Sequence, residues 1–334
     1  MSEPLPSLNA PGTPQIVRDE MAALKSRLDE TVPPKRDAIR NLLVATWNIK
    51  DFGSLYDKND AWTATGNASP KRDRRALWAI TEILSRFDVI AVQEVTGDLK
   101  ALRTMIKTLG PNWGFLMTDV AKGADAGAER LAFVYDRTRV ELSGLAGELV
   151  VPREWLDEIG ETALKKQFAR TPYAVSFRSG TQTLILVTLH VDYGDSSADR
   201  VPELQAIARW MKEWAAQTNR WHHNLIALGD FNIDRKDDDL WQAFVSTGLE
   251  VPVQLNQVPR SIFASPGQAE LEKFYDQIAW FTKGQRQLLD LELRTAGTFN
   301  FVSLLYTDIG MTKQSLQYRM SDHYPLWVEF DLAG

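Results

Sequence analysis

Eight polar residues sit at or beside the ends of apolar, strand-length runs: Asn48, Glu94, His190, Asp230, Asn232, Asp276, Asp322 and His323. The adjacent pair Asp322-His323 stands ahead of an alternating run, Leu326 to Phe330, which reads as a strand with one buried face. Each residue alone has an ordinary explanation. An Asp-His pair can be surface, Asp230-Phe231-Asn232 and Asn48 can be turn residues, and His190 can be a hydrogen-bonded core histidine. The doublet His222-His223 is set aside, because adjacent strand residues face opposite sides. Eight such residues on successive strand ends are harder to dismiss, and together they are what metal-assisted phosphoester hydrolysis needs.

The chemistry sets the requirements. A phosphodiester is anionic and repels nucleophiles. A hard divalent ion with oxygen ligands such as Glu94 and Asn48 offsets that charge. Carboxylates without cysteine favour magnesium, with manganese as the alternative. A water must be oriented and deprotonated, for which Asp230, Asn232 and His323 are candidates. Asp276 could orient an imidazole through its other nitrogen. Charge developing on phosphate oxygens needs donors, and His190, Asn232 and Arg170 could supply them.

The elements that must position these groups can be read in order. Residues 1–13 read as a mobile tail. Ile16, Met21, Leu24 and Leu28 recur at helical spacing, a short helix whose apolar stripe packs on the main domain. Leu42 to Trp47 is a near-continuous apolar run, a strand covered on both faces. Ser69-Pro70 has the form of a helix start, and Lys71, Arg72, Arg74 and Arg75 would crowd its first two turns. Positive charge there opposes the helix dipole, so an anionic partner is one explanation and a solvated surface the other. Strands close on Glu94, His190 and Asp230, with helices between them. Hairpins intrude on the alternation, so a mixed sheet layered with helices is expected.

The chain of 334 residues is long enough for a sizeable core. Its net charge of −6 announces no global basic field, which still allows a local basic groove. It has no cysteine, excluding disulfides and thiolate metal sites. The first residues lack a secretory signal, and no run is long enough to span a membrane. The expectation is a soluble cytoplasmic protein, monomeric and without stable membrane association.

The motifs Thr-Trp-Asn48, Val-Gln93-Glu94, Leu-His190, Gly-Asp230-Phe-Asn232, Tyr-Asp276-Gln-Ile and Ser-Asp322-His323-Tyr-Pro occur in the order seen in the endonuclease/exonuclease/phosphatase superfamily. The tail, and Phe168-Ala-Arg170-Thr-Pro, most resemble the pancreatic-type deoxyribonucleases. The resemblance covers about residues 40–332. It implies a four-layered α/β sandwich of two mixed, mostly antiparallel sheets packed face to face with helices outside. The domain would span 39–334, after an N-terminal tail and helix at 1–38. It further implies a divalent-metal phosphoesterase. Glu94 and Asn48 match the metal site, with Asp322 a further ligand. His323 with Asp276 and His190 match the two catalytic histidines, Asp230 and Asn232 the water-positioning pair, and Arg170 a phosphate-contacting arginine. DNA is the expected substrate, with a phosphatase or a phospholipid or small-molecule phosphodiesterase as the alternative. Arg72 and Arg75, with Tyr56 and Trp62, would form an edge tracking the DNA backbone. The secreted, disulfide-bonded biology of the pancreatic branch does not carry over to a cysteine-free chain.

Overall fold

The computed structural model describes residues 2–36, 40–58, 61–119, 129–150, 170–194, 196–217, 224–264, 273–281 and 289–332. His222-His223, Phe168 and most of the insertion at 141–167 therefore lie outside the described residues. Two six-stranded sheets make up the centre. The first contains β1 (Asn41–Phe52), β2 (Val89–Val95), β3 (Trp113–Met117), β4 (Arg130–Asp136), β11 (Glu292–Thr298) and β12 (Leu326–Asp331), in the order β11-β12-β1-β2-β4-β3. The second contains β5 (Glu141–Glu148), β6 (Tyr173–Ser179), β7 (Gln182–His190), β8 (Asn224–Asp230), β9 (Leu249–Glu250) and β10 (Asp276–Phe281), in the order β5-β6-β7-β8-β10-β9.

Both sheets are mixed. β1 runs parallel to β2, and β7 parallel to β8, while the other pairs are antiparallel. The strands alternate sides as their sequences require. Leu42 and Val44 of β1 enter the core between the sheets with Phe177, Leu186, Ile226 and Ile278. Leu43, Ala45 and Trp47 face the outer helices. Those helices are α1 (Gln15–Thr31), α2 (Arg74–Leu84) and α3 (Lys100–Leu109) on the first sheet, and α4 (Ser197–Gln217) and α5 (Asp239–Val245) on the second. No helix of the described residues is long and apolar enough to cross a membrane.

Three sequence expectations change here. The N-terminal segment is packed rather than a mobile tail: Leu5 is buried, its N–H donates to Thr108 Oγ1 at 2.9 Å, and Trp78 Nε1 donates to the Pro6 carbonyl at 3.0 Å. In α1 the buried stripe begins at Val17, not Ile16, which stays 37% exposed. Most helix stability in a folded protein comes from packing one face, here the burial of Val17, Met21, Leu24 and Leu28. The third change concerns α2. Its cap is Asp73, whose carboxylate accepts the Ala76 N–H at 2.9 Å, so Ser69-Pro70 and Lys71-Arg72 precede the helix.

Arg72 and Arg75 of the basic cluster are used internally, which corrects their assignment to substrate. Arg72 is buried and donates to the carbonyls of Lys50, Asp51, Arg319 and Met320. Burial lowers its pKa to about 10, against the pull of Asp51 and Glu94. Arg75 is 1% exposed and forks onto Glu20 of α1, with Asp308 at 2.6 Å. Trp62 is buried in the outer core rather than lining an edge. Removing Arg75 would strand Glu20, itself 4% exposed. Arg75→Met is expected to cost about 3 kcal/mol in urea unfolding. Unchanged stability in the folded variant would contradict this structural role.

Candidate active site

The parallel pairs explain why strand ends converge. In β1 and β2, Asn48 lies in register with Gln93, and in β7 and β8, His190 lies in register with Asp230. β10 is antiparallel to β8, so its first residue, Asp276, faces Asp230 across the ladder. Gln93 bridges the sheets below this rim: its Nε2 donates to Thr188 Oγ1 at 2.9 Å and to Thr46 Oγ1 at 3.0 Å. Gly229 lets β8 approach β7, since a Cβ there would lie 2.1 Å from the Leu189 carbonyl oxygen, and its φ is +149°. Any side chain at Gly229 would displace Asp230.

Asp230 is the hub. Its Oδ2 accepts from Asn48 Nδ2 at 3.0 Å and lies 3.7 Å from His190 Nε2 and 3.8 Å from His323 Nε2. Its Oδ1 accepts the Asn232 N–H at 2.9 Å. Burial opposes ionisation of Asp230, but His323, His190 and Asn48 outweigh it and lower its pKa. Asn232, at φ +48°, donates one of its two side-chain N–H groups to the Val191 carbonyl at 2.7 Å. Sequence reasoning offered Asn232 as a phosphate donor, and here one of its two amide N–H donors serves the backbone.

His323 is held on all sides. Nδ1 lies 2.7 Å from Asp276 Oδ2, its carbonyl accepts from Trp47 Nε1 at 2.9 Å, and its N–H donates to Ser321 Oγ at 3.0 Å. Burial disfavours the imidazolium, but Asp276 and Asp230 prevail and raise its pKa to about 10. Burial pushes the Asp276 carboxyl up to about 6, against the pull of His323.

His190 has a partner that strand-end logic missed. Glu129 Oε2 lies 3.3 Å from His190 Nδ1 and accepts from Arg170 Nε at 2.8 Å. Burial lowers the His190 pKa, and Glu129 and Asp230 more than compensate, raising it. Glu129 precedes β4, and β4 is antiparallel to β2, so a strand start reaches the same rim. Arg170 is thus brought to the site, but its guanidinium is engaged by Glu129 and, at 3.5 Å, Asp192.

Beneath this corner Glu203 is 7% exposed, and burial raises its pKa to about 7. A carboxyl whose folded pKa is raised contributes stability fully below its unfolded value of 4.5 and loses it as pH rises through about 7. Glu203→Gln should therefore gain on the order of 3 kcal/mol over the parent above pH 7 and little below 4.5. Urea unfolding across that range reads the difference, and a pH-independent one would contradict the assignment.

Glu94 carries a φ of +60°, a strained backbone for a glutamate. Its carboxylate accepts from Asn48 Nδ2 at 2.8 Å and from the Asp51 N–H at 3.0 Å. Asn48 Oδ1 is buried beside it without a hydrogen-bond partner. An orphaned amide oxygen next to a carboxylate fits a hard, oxygen-seeking cation. Asp230, Asp276 and His323 also bring ligand atoms within 4.8 Å of one another, but the Asp276–His323 pair is already joined by its hydrogen bond. Asp322, expected as a further ligand, pairs with Lys50 Nζ at 2.9 Å through one carboxylate oxygen.

The family model described as "Endonuclease/Exonuclease/phosphatase family" matches residues 45–282. A deoxyribonuclease of Thioalkalivibrio sp. (strain K90mix) is 28% identical over 301 residues, covering 88% of this chain and 72% of that protein. Deoxyribonuclease-1 of Canis lupus familiaris is 25% identical over 305 residues, covering 87% and 92%. Among solved structures, the mannosyl-6-phosphatase Bt3783 of Bacteroides thetaiotaomicron VPI-5482 superposes with a TM-score of 0.55 at 18% identity, covering 86% of this chain and 99% of that one.

Proposed function

Because the chain belongs to the endonuclease/exonuclease/phosphatase family, whose members hydrolyse phosphoesters, we propose that it is a magnesium-dependent nuclease that cleaves phosphodiester bonds of DNA. One observation carries the reading: a buried, ionised Asp230 reaches two imidazoles and the Asn48 amide beside Glu94. The similarity to two deoxyribonucleases supports DNA as the substrate.

Glu94 and Asn48 would hold the cation, which when bound offsets phosphate charge and polarises phosphorus. Manganese would fit the same oxygen donors. Asp230, with its depressed pKa, remains a carboxylate that accepts a hydrogen bond from the attacking water. Both histidines are biased toward their protonated forms, so each can donate to phosphate or leaving-group oxygen. Asp276 and Glu129 orient these rings. Asn232 fixes the Asp230 carboxylate through its own N–H.

A panel of substrates tests the reading: supercoiled plasmid, a DNA oligonucleotide, a hexose 6-phosphate and a phospholipid phosphodiester, each with magnesium. DNA turnover that falls steeply with salt is expected. Salt-insensitive turnover of a monoester or lipid, with no DNA cleavage, would overturn it.

A further inference from the structure

We propose that Tyr193 and Tyr275 form a stacking ledge for an unpaired nucleobase beside His323, which makes single-stranded DNA the preferred form of the substrate. The inference rests on the nuclease reading and specifies which DNA that site takes.

Tyr275 immediately precedes Asp276, and its ring centroid lies 5.5 Å from the His323 imidazole at 32° between planes. Tyr193 leaves the end of β7 three residues after His190, and its ring meets Tyr275 edge-on, 6.4 Å away at 72°. A row of adjoining aromatic rings therefore runs outward from His323. Its outer member is 51% exposed, the largest exposure of any tyrosine near the site except Tyr318 at 52%.

Tyr193 is held firmly for so open a side chain. The Arg200 guanidinium lies 4.7 Å from its ring centroid. Arg200 is fixed in turn, donating to the Asn232 carbonyl at 2.5 Å and to Asp234 Oδ2 at 2.6 Å. Lys273 ion-pairs with the same Asp234 and lies 5.6 Å from the Tyr275 ring. An apolar ring that serves only the core would be buried. One braced by a buried cation and left half-open is suited to take a flat partner on its free surface.

A nucleobase is the flat partner a DNA-cleaving site offers. Stacking on aromatic side chains tolerates any base, because every base has a π-face. In a duplex that face is covered by neighbouring base pairs. A base on the strand whose phosphate lies at His323 reaches the ledge only when unstacked. The cations Lys273 and Arg200 flank the path without taking a phosphate's place, since Asp234 occupies both.

The test compares the parent protein with Tyr193→Ala and Tyr193→Trp on a single-stranded oligonucleotide, its duplex, and a strand with abasic positions at the cleavage site. The parent should favour the single strand. Tyr193→Ala should raise KM for it roughly tenfold or more, with kcat within about twofold and little change on the duplex or the abasic strand. Tyr193→Trp should restore KM. An unchanged KM, or equal changes on all three substrates, would overturn the ledge. Anisotropy of the labelled single strand in chelator reads the same contact without turnover. If the parent cleaves no DNA, the nuclease reading fails. The ledge then stands only if Tyr193→Ala still weakens binding to the single strand, and falls if it does not.

Discussion

Replacing His323 with alanine is expected to lower kcat on a DNA oligonucleotide about a thousandfold, with KM little changed. The imidazole lies between two carboxylates, its Nδ1 2.7 Å from Asp276 and its Nε2 3.8 Å from Asp230. Those charges hold the donor form at neutral pH despite burial. Alanine removes both the proton carrier and one of the counter-charges that favour ionised Asp230. Asp276→Asn leaves the ring in place but deprives it of its orienting charge, so a smaller loss is expected. Single-turnover cleavage separates this step from product release. More than about a tenth of parental kcat in a folded variant would remove His323 from proton transfer.

Glu94→Gln is expected to weaken magnesium binding at least about a hundredfold, because changes one shell further out already cost 10–100-fold. Glutamine preserves the volume and the strained backbone position but removes the charge a hard cation needs. Its amide would also face Asn48 Nδ2 and the Asp51 N–H, which now donate to carboxylate oxygens. Titration calorimetry without substrate reads the cation alone. Parental affinity in the variant would move the metal to another group, with Asp230, Asp276 and His323 the next candidates.

The sequence carried the rim of the site well, for a topological reason. Apolar runs ending in Asn48, Glu94, His190 and Asp230 belong to parallel pairs, so a one-dimensional rule about strand ends became a single place in space. The same rule missed Glu129, because β4 runs the other way and offers its beginning to the rim. Tyr193 escaped for lack of any periodic signal. Arg72 and Arg75 were misread because their partners are remote: Arg72 donates to the Arg319 carbonyl 247 positions on, while Glu20 is 55 positions before Arg75 and Asp308 is 233 after it. Local charge density could not distinguish an internal bridge from an open anion-binding edge. Asp322 was assigned by motif, whereas Lys50, 272 positions away, holds its carboxylate in the structure.

The proposed activity is one cleft using a divalent cation to cut DNA. Nicking of supercoiled plasmid by the purified protein, with magnesium and with chelator, beside His323→Ala prepared identically, tests that most directly. The expected result is nicking that requires the metal and disappears in the variant. Nicking that persists in chelator or in His323→Ala, or none by the folded parent with magnesium or manganese, would contradict it.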